Sequence, residues 1–136
     1  MAKPNDNPAE PFKKALAEAT KALANEPDLS VTFSVDPSSM VGDVARLPQV
    51  TRRMTKQEVL LARGTADAYA MQLRFHNEAV HNKYRPAGEI AQPLYETMDT
   101  AGCAALGARP LPGTANTTRS KSGEEAARPG YATIAA

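Results

Sequence analysis

Tryptophan is absent from this 136-residue sequence, cysteine occurs once, and the aromatic set is three Phe and four Tyr. A single cysteine, Cys103, excludes an intramolecular disulfide framework and any zinc site built on paired cysteines, and it fits a reducing compartment. No run approaches the roughly 18 apolar residues that a membrane helix needs. The opening Met1-Ala2-Lys3-Pro4-Asn5-Asp6 lacks the apolar stretch of a signal peptide. The expected location is therefore the cytoplasm, with no membrane partner. Charge of either sign is also lacking in excess, since 16 Lys and Arg face 15 Asp and Glu for a formal net charge of +1. That balance excludes a highly charged disordered chain and gives no bulk electrostatic reason to bind nucleic acid.

Large apolar side chains are scarce too. Leu, Ile, Val and Phe together number 22, whereas alanine alone contributes 25. A thin-cored, alanine-rich α+β domain, predominantly helical, is the expectation. Three organisational segments follow: an irregular lead-in over 1–11 with Pro4, Pro8 and Pro11, a helical domain with a hairpin over 12–108, and a flexible tail over 109–136.

Within the domain, Phe12, Leu16, Ala19 and Leu23 recur at helical spacing until Pro27, which predicts a helix from about Pro11 to Asn25. Leu29 to Val35 is apolar at every second position, the period of a strand with one buried face. After Asp36-Pro37-Ser38-Ser39, a weaker strand runs from Val41 to Leu47 and ends at Pro48. An antiparallel hairpin of these two is the economical pairing. Thr55-Lys56-Gln57-Glu58 has the form of a capping box and should open a long helix reaching about Tyr84. Gly64 lies on that helix's apolar stripe with Leu60, Ala68, Met71, Phe75 and Ala79, so close approach of another backbone is expected there. A third helix, to about Leu106, carries Ile90, Leu94, Met98, Ala101 and Ala105 on one face, with a kink or fresh start near Gln92 forced by Pro93. From Arg109 onward only Leu111, Tyr131 and Ile134 are large and apolar, which predicts a mobile tail.

Chemistry-bearing motifs are few. No phosphate-binding loop and no dinucleotide fingerprint occur, so the chain alone is not expected to be catalytic or to hydrolyse a nucleotide. The nearest thing to a metal constellation is His76, Glu78 and His81. On a continuous helix the two histidines would stand roughly 140° apart, so surface or interface histidines are favoured over a ligand set. Asp28-Leu29-Ser30-Val31-Thr32 has the spacing of a metal-ion adhesion motif but sits after a proline, where a helix-to-strand turn is the simpler reading. Cys103 reads as a small buried apolar residue. Arg46, Arg52, Arg53 and Lys56 form a basic group that suits an acidic partner, a phosphate or plain solvent.

Arg46-Leu47-Pro48 with Thr51-Arg52, then Arg63-Gly64-Thr65-Ala66-Asp67, then Leu73 to His81 (L-R-F-H-N-E-A-V-H), then Ala105-Leu106-Gly107-Ala108-Arg109 occur in one order and at set separations. In these residues the chain resembles the N-terminal region of the cobaltochelatase T-subunit family (CobT) of aerobic cobalamin biosynthesis. The resemblance implies a complex that inserts Co(II) into hydrogenobyrinic acid a,c-diamide at the expense of Mg-ATP. Its implied partners are an S subunit, a AAA+ ATPase, and a large macrocycle-holding N subunit. The family's C-terminal von Willebrand A domain has no counterpart in these residues. The resemblance also implies that no cofactor is bound by this chain, cobalt and Mg-ATP being used by the complex. The candidate partner-binding residues are Arg46, Arg52, Arg53, Arg63, Asp67, His76, His81 and Arg109. A freestanding helical adaptor is the alternative, and His76, Glu78 and His81 as a transient cobalt-delivery surface is a third reading.

Overall fold

A computed structural model describes residues 6–126. Its five helices and small three-stranded sheet give the mainly helical α+β architecture expected from the sequence.

Helix α1 spans Ala9–Ala24. It ends as the sequence requires: Asn25 takes a left-handed conformation (φ 58°), and the amides of Asn25 and Glu26 return to the carbonyls of Ala22 and Lys21. That closes the otherwise unpaired last turn before Pro27. Leu16 and Ala24 face inward, joined by Thr20, whose hydroxyl donates to the Leu16 carbonyl at 2.6 Å and so enters the core without an unpaired group.

The strands differ from the expected hairpin. β1 (Ser30–Ser34) pairs in parallel with β3 (Val44–Pro48), and the antiparallel hairpin is instead β2 (Ser39–Val41) with β3. The segment expected as one strand from Val41 to Leu47 is split at Gly42, whose φ of +60° suits the first central position of a two-residue hairpin turn. The sheet order β1-β3-β2 follows from burial. Ala45 and Leu47 of β3 are fully buried, so β3 takes the centre. Residues 35–38 need only cross two strand spacings, roughly 10 Å, which four extended residues span. Leu29 is buried and Val31 and Phe33 pack on the core, whereas Val35 lies outside it.

Helix α2, Lys56–Phe75, opens on the expected capping box. Thr55 Oγ1 accepts from the Glu58 amide at 3.2 Å, and the Glu58 carboxylate accepts from the Thr55 amide at 3.3 Å. Thr51 adds its own hydroxyl to Glu58 at 2.8 Å, tying the loop after β3 to the helix start. This helix is the centre of the molecule, packed by α1, by β3 and by two later helices, α4 (Ala91–Ala108) and α5 (Pro112–Ala126). Its buried residues are small: Ala62, Gly64, Thr65, Ala66, Ala68 and Ala70, with Met71 the one large side chain among them. Small residues allow neighbours to approach on several sides, which is how a chain poor in Leu and Ile still closes a core.

Two further expectations are corrected. The long helix does not run on to Tyr84. It stops at Phe75, His76 is extended (ψ 129°), and Asn77 caps a separate helix α3 (Glu78–Tyr84) by accepting from the Val80 amide at 3.1 Å. Nor does the segment after Arg109 begin as an irregular tail, because Pro112–Ala126 is helix α5 against α2. Counting large apolar residues missed it because the contact is made by threonines. Thr114 and Thr117 are buried with their hydroxyls turned back onto the carbonyls of Leu111 and Thr114. The remainder of the expected tail, 127–136, lies outside the described residues.

Candidate functional site

The break at His76 decides where the chemistry sits. It ends α2 and restarts the chain at a new angle, so His81 of α3 folds back over His76 with ring centroids 4.7 Å apart. The sequence expectation that the two rings point apart held only for a continuous helix, and Asn77 ends that continuity. His81 also stacks on Tyr95 at 4.7 Å, and the Tyr95 hydroxyl donates to the His81 carbonyl at 2.9 Å.

Helix α4 supplies two carboxylates to this pair. Asp99 Oδ2 lies 2.8 Å from His76 Nδ1, and Glu96 Oε1 lies 3.0 Å from His81 Nε2. Asp99 Oδ1 stands 3.8 Å from His81 Nδ1, and Arg85 adds an ion pair to Glu96 at 3.5 Å. The expected Glu78 takes no part, being exposed at the start of α3. Glu96 and Asp99 were missed because their spacing to the histidines is tertiary. The signal in the sequence was the pair of acids three apart on a helix of otherwise few charges. One turn below Asp99, Cys103 is buried, and burial with the nearby Asp99 charge pushes its thiol pKa up, away from the thiolate a nucleophile needs.

Apart from His76 and His81, the residues named as partner-binding candidates do not converge on one surface. Arg46 is half-buried on the central strand, while Arg52 and Arg53 are exposed on the turn before α2. Arg63 and Arg109 are exposed on α2 and at the end of α4. Asp67 instead faces inward, where Thr117 of α5 donates to its carboxylate. Gly64, one turn earlier, meets the same segment: a Cβ added there would run into the Thr117 carbonyl and stand 2.7 Å from Lys121 Cβ. The close approach expected at Gly64 is therefore made by the backbone of α5.

Burial pushes the Asp67 carboxyl pKa up, against the opposing pull of the Thr117 hydroxyl and the Arg63 charge. The Thr117 hydroxyl also lies 3.0 Å from the Thr114 carbonyl, and one proton serves only one acceptor at a time. When that proton turns to Thr114, the Asp67 carboxylate loses its hydroxyl donor, which adds to the cost of its burial. With the folded pKa above the unfolded one, the contribution of Asp67 to stability is greatest below the unfolded value of about 4 and declines as pH rises through the folded pKa. Asp67→Asn should remove that decline. Relative to the parent, the variant is expected to gain in melting temperature between pH 4 and pH 7, and thermal melts at the two pH values measure it.

Helix α4 turns its small and polar row (Tyr95, Asp99, Cys103, Gly107) toward the body, with Gly107 seated on Met71. Its bulky row, the face that periodicity picked out, points outward. Ile90 is 87% exposed, Leu94 59% and Met98 65%, with Ala101, Ala105 and Leu106 continuing the face. On the inner side the Met71 side chain of α2 fills the space over Gly107, where an added Cβ would meet its Sδ and Cγ. Pro93 sits in the first turn of α4, consistent with a fresh start near Gln92.

A groove of about 630 Å³ is separate from the histidines. It lies between the β1–β2 turn and α2, is lined by Ser34, Asp36, Thr51, Glu58, Tyr69 and Lys121 among others, and includes no histidine or cysteine. Among the described residues, no helix is long and apolar enough to cross a membrane.

Comparison with known proteins agrees with the residues that carried the resemblance. No solved structure matches the chain. The family model described as "Cobalamin biosynthesis protein CobT" matches residues 6–136, which takes in the sheet, the histidine pair, the outward face of α4 and α5. The chain belongs to the CobT family, and that membership implies a cobaltochelatase role in cobalamin biosynthesis.

Proposed function

We propose that this chain is an assembly and coupling module of an ATP-dependent cobaltochelatase, the complex that inserts Co(II) into hydrogenobyrinic acid a,c-diamide. In this reading it binds the S subunit, a AAA+ ATPase, and the N subunit that holds the macrocycle. It contributes contacts to the reaction, and the nucleotide chemistry belongs to its partner.

The observation that carries the reading is the outward face of α4. Ile90, Leu94 and Met98 form an exposed apolar strip, on a helix whose opposite side is fixed to the body by histidine–carboxylate hydrogen bonds and by Gly107 on Met71. An exposed strip of large apolar residues is costly in a domain so short of them, and such strips mark protein contacts. Because α4 is held to the α2–α3 junction by His76–Asp99 and His81–Glu96, a partner moving against α4 also loads the centre of the fold. Coupling then requires only that the partner bind α4 differently in its nucleotide states.

Co-purification tests this directly. The tagged chain is mixed with the S and N subunits in the presence and absence of Mg-ATP. Retention of at least one of them, at a ratio that survives gel filtration, is expected. Failure to retain either subunit, with or without nucleotide, would overturn the assembly reading and leave the freestanding adaptor.

A further inference from the structure

One polar atom in the body of the molecule stands out. His81 is 8% exposed, and its Nδ1 is buried with no hydrogen-bond partner. Buried imidazole nitrogens are ordinarily paired, so an orphan of this kind calls for a ligand or a function. Its other nitrogen is accounted for. In the neutral tautomer whose Nε2–H donates to Glu96 at 3.0 Å, Nδ1 carries the free lone pair.

That lone pair faces other donors. Asp99 Oδ1 lies 3.8 Å away, His76 is held on the same carboxylate, and one ligand atom from each of His76, His81 and Asp99 can be chosen so that all lie within 4.8 Å of one another. Two ligands of a tetrahedral ion with bonds of about 2.0–2.1 Å sit roughly 3.4 Å apart, so modest side-chain rotation closes the set. From this geometry we propose that His76, His81 and Asp99 form a binding site for one divalent first-row transition-metal ion, with Glu96 as the residue that orients His81.

The chemistry of the donors sets the class of ion. Two imidazoles and one carboxylate suit ions of borderline softness such as Zn(II), Co(II) and Ni(II), and suit the oxygen-seeking Mg(II) and Ca(II) poorly. A carboxylate on the far nitrogen of a ligating histidine is the usual supporting arrangement, and Glu96 stands in that position. Three protein ligands leave a fourth position open, the mark of a site that exchanges its ion or takes a further ligand, in contrast to the closed four-ligand structural sites. Tyr95 stacked on one face of His81 keeps that ring in place. The site stands apart from the assembly reading: its donors are on the side of α4 turned to the body, and it holds whether or not the outer face docks a partner.

The test uses Co(II) alone, whose visible absorption reports its coordination. Titration of the full chain is expected to give a saturable band at one equivalent, displaced by Zn(II), with a rise in melting temperature. Asp99→Asn and His76→Gln should each weaken affinity tenfold or more, and Glu96→Gln by about ten- to a hundredfold as a supporting residue. Asp99→Glu, which keeps the carboxylate, should retain binding if Asp99→Asn proves poorly folded. Absence of saturable binding by the folded parent at millimolar Co(II) would overturn the proposal. So would binding unchanged in both folded variants, Asp99→Asn and His76→Gln, since the ion would then be held elsewhere.

Discussion

Gly64→Leu is expected to lower the melting temperature substantially, although leucine is the better helix former. Helix propensity alone favours the change by several tenths of a kcal/mol. Against it stands the backbone of α5, since even a Cβ at position 64 would collide with the Thr117 carbonyl and press on Lys121 Cβ. A main-chain obstacle cannot rotate away, so either α5 lifts off α2 or α2 itself shifts. Overpacking of this kind costs about 1–3 kcal/mol, and the upper part of that range applies where backbone must move. Lifting α5 also strips Asp67 of its hydroxyl partner and exposes Thr114 and Thr117. Amide exchange distinguishes the two responses: residues 113–121 should lose protection in the variant while α1 and the sheet retain theirs. A melting temperature equal to or above that of the parent would contradict this packing.

The second large effect is expected on association and not on folding. Leu94→Glu combined with Met98→Glu places two charges on the outer face of α4, where both side chains are mostly solvated. Neither residue belongs to the buried clusters that hold the fold, so the melting temperature should stay within a few degrees of the parent's. Affinity for the cobaltochelatase partner should fall at least tenfold, because burying an unpaired carboxylate in an apolar contact is costly. A pair of variants at exposed positions outside α4, Arg52→Glu and Arg53→Glu, separates this surface from the basic turn before α2. Loss of binding by the arginine variants alone would move the interface to that turn.

How much of this was legible in the sequence depends on the range of the interaction concerned. The capping box at Thr55 and Glu58, the stop near Asn25 and the close approach at Gly64 are local signals, each carried by a residue whose backbone or capping chemistry is specific, and each is present in the fold. Strand existence was legible from the alternation of Leu29, Val31 and Phe33. Strand pairing was not, because the choice of β3 as the central strand rests on Ala45 and Leu47 meeting α2 and α1, a tertiary fact. Periodicity found the apolar stripe of α4 but carries no information on its direction. A stripe of large residues indicates the inward face only when the core has room for them, and here Met71 already occupies the space over Gly107.

The histidine cluster was half legible. Its two histidines were picked out by type, but their convergence turns on one capping side chain: Asn77 accepts from Val80 and ends the helix that would have kept the rings apart. Glu96 and Asp99 then arrive from a helix that sequence spacing cannot bring to the same place. The fifth helix went unseen for a related reason. Its threonines satisfy their own hydroxyls and lie against a glycine, so the contact needs no large apolar residue.

The measurement that bears most directly on the assembly reading is hydrogen–deuterium exchange of the chain alone and in complex with its cobaltochelatase partners. Slower exchange concentrated on residues 90–106 in the complex, with the sheet and α1 unchanged, is the predicted footprint. Protection confined to other elements, or an exchange pattern identical with and without the partners at saturating concentration, would contradict the account.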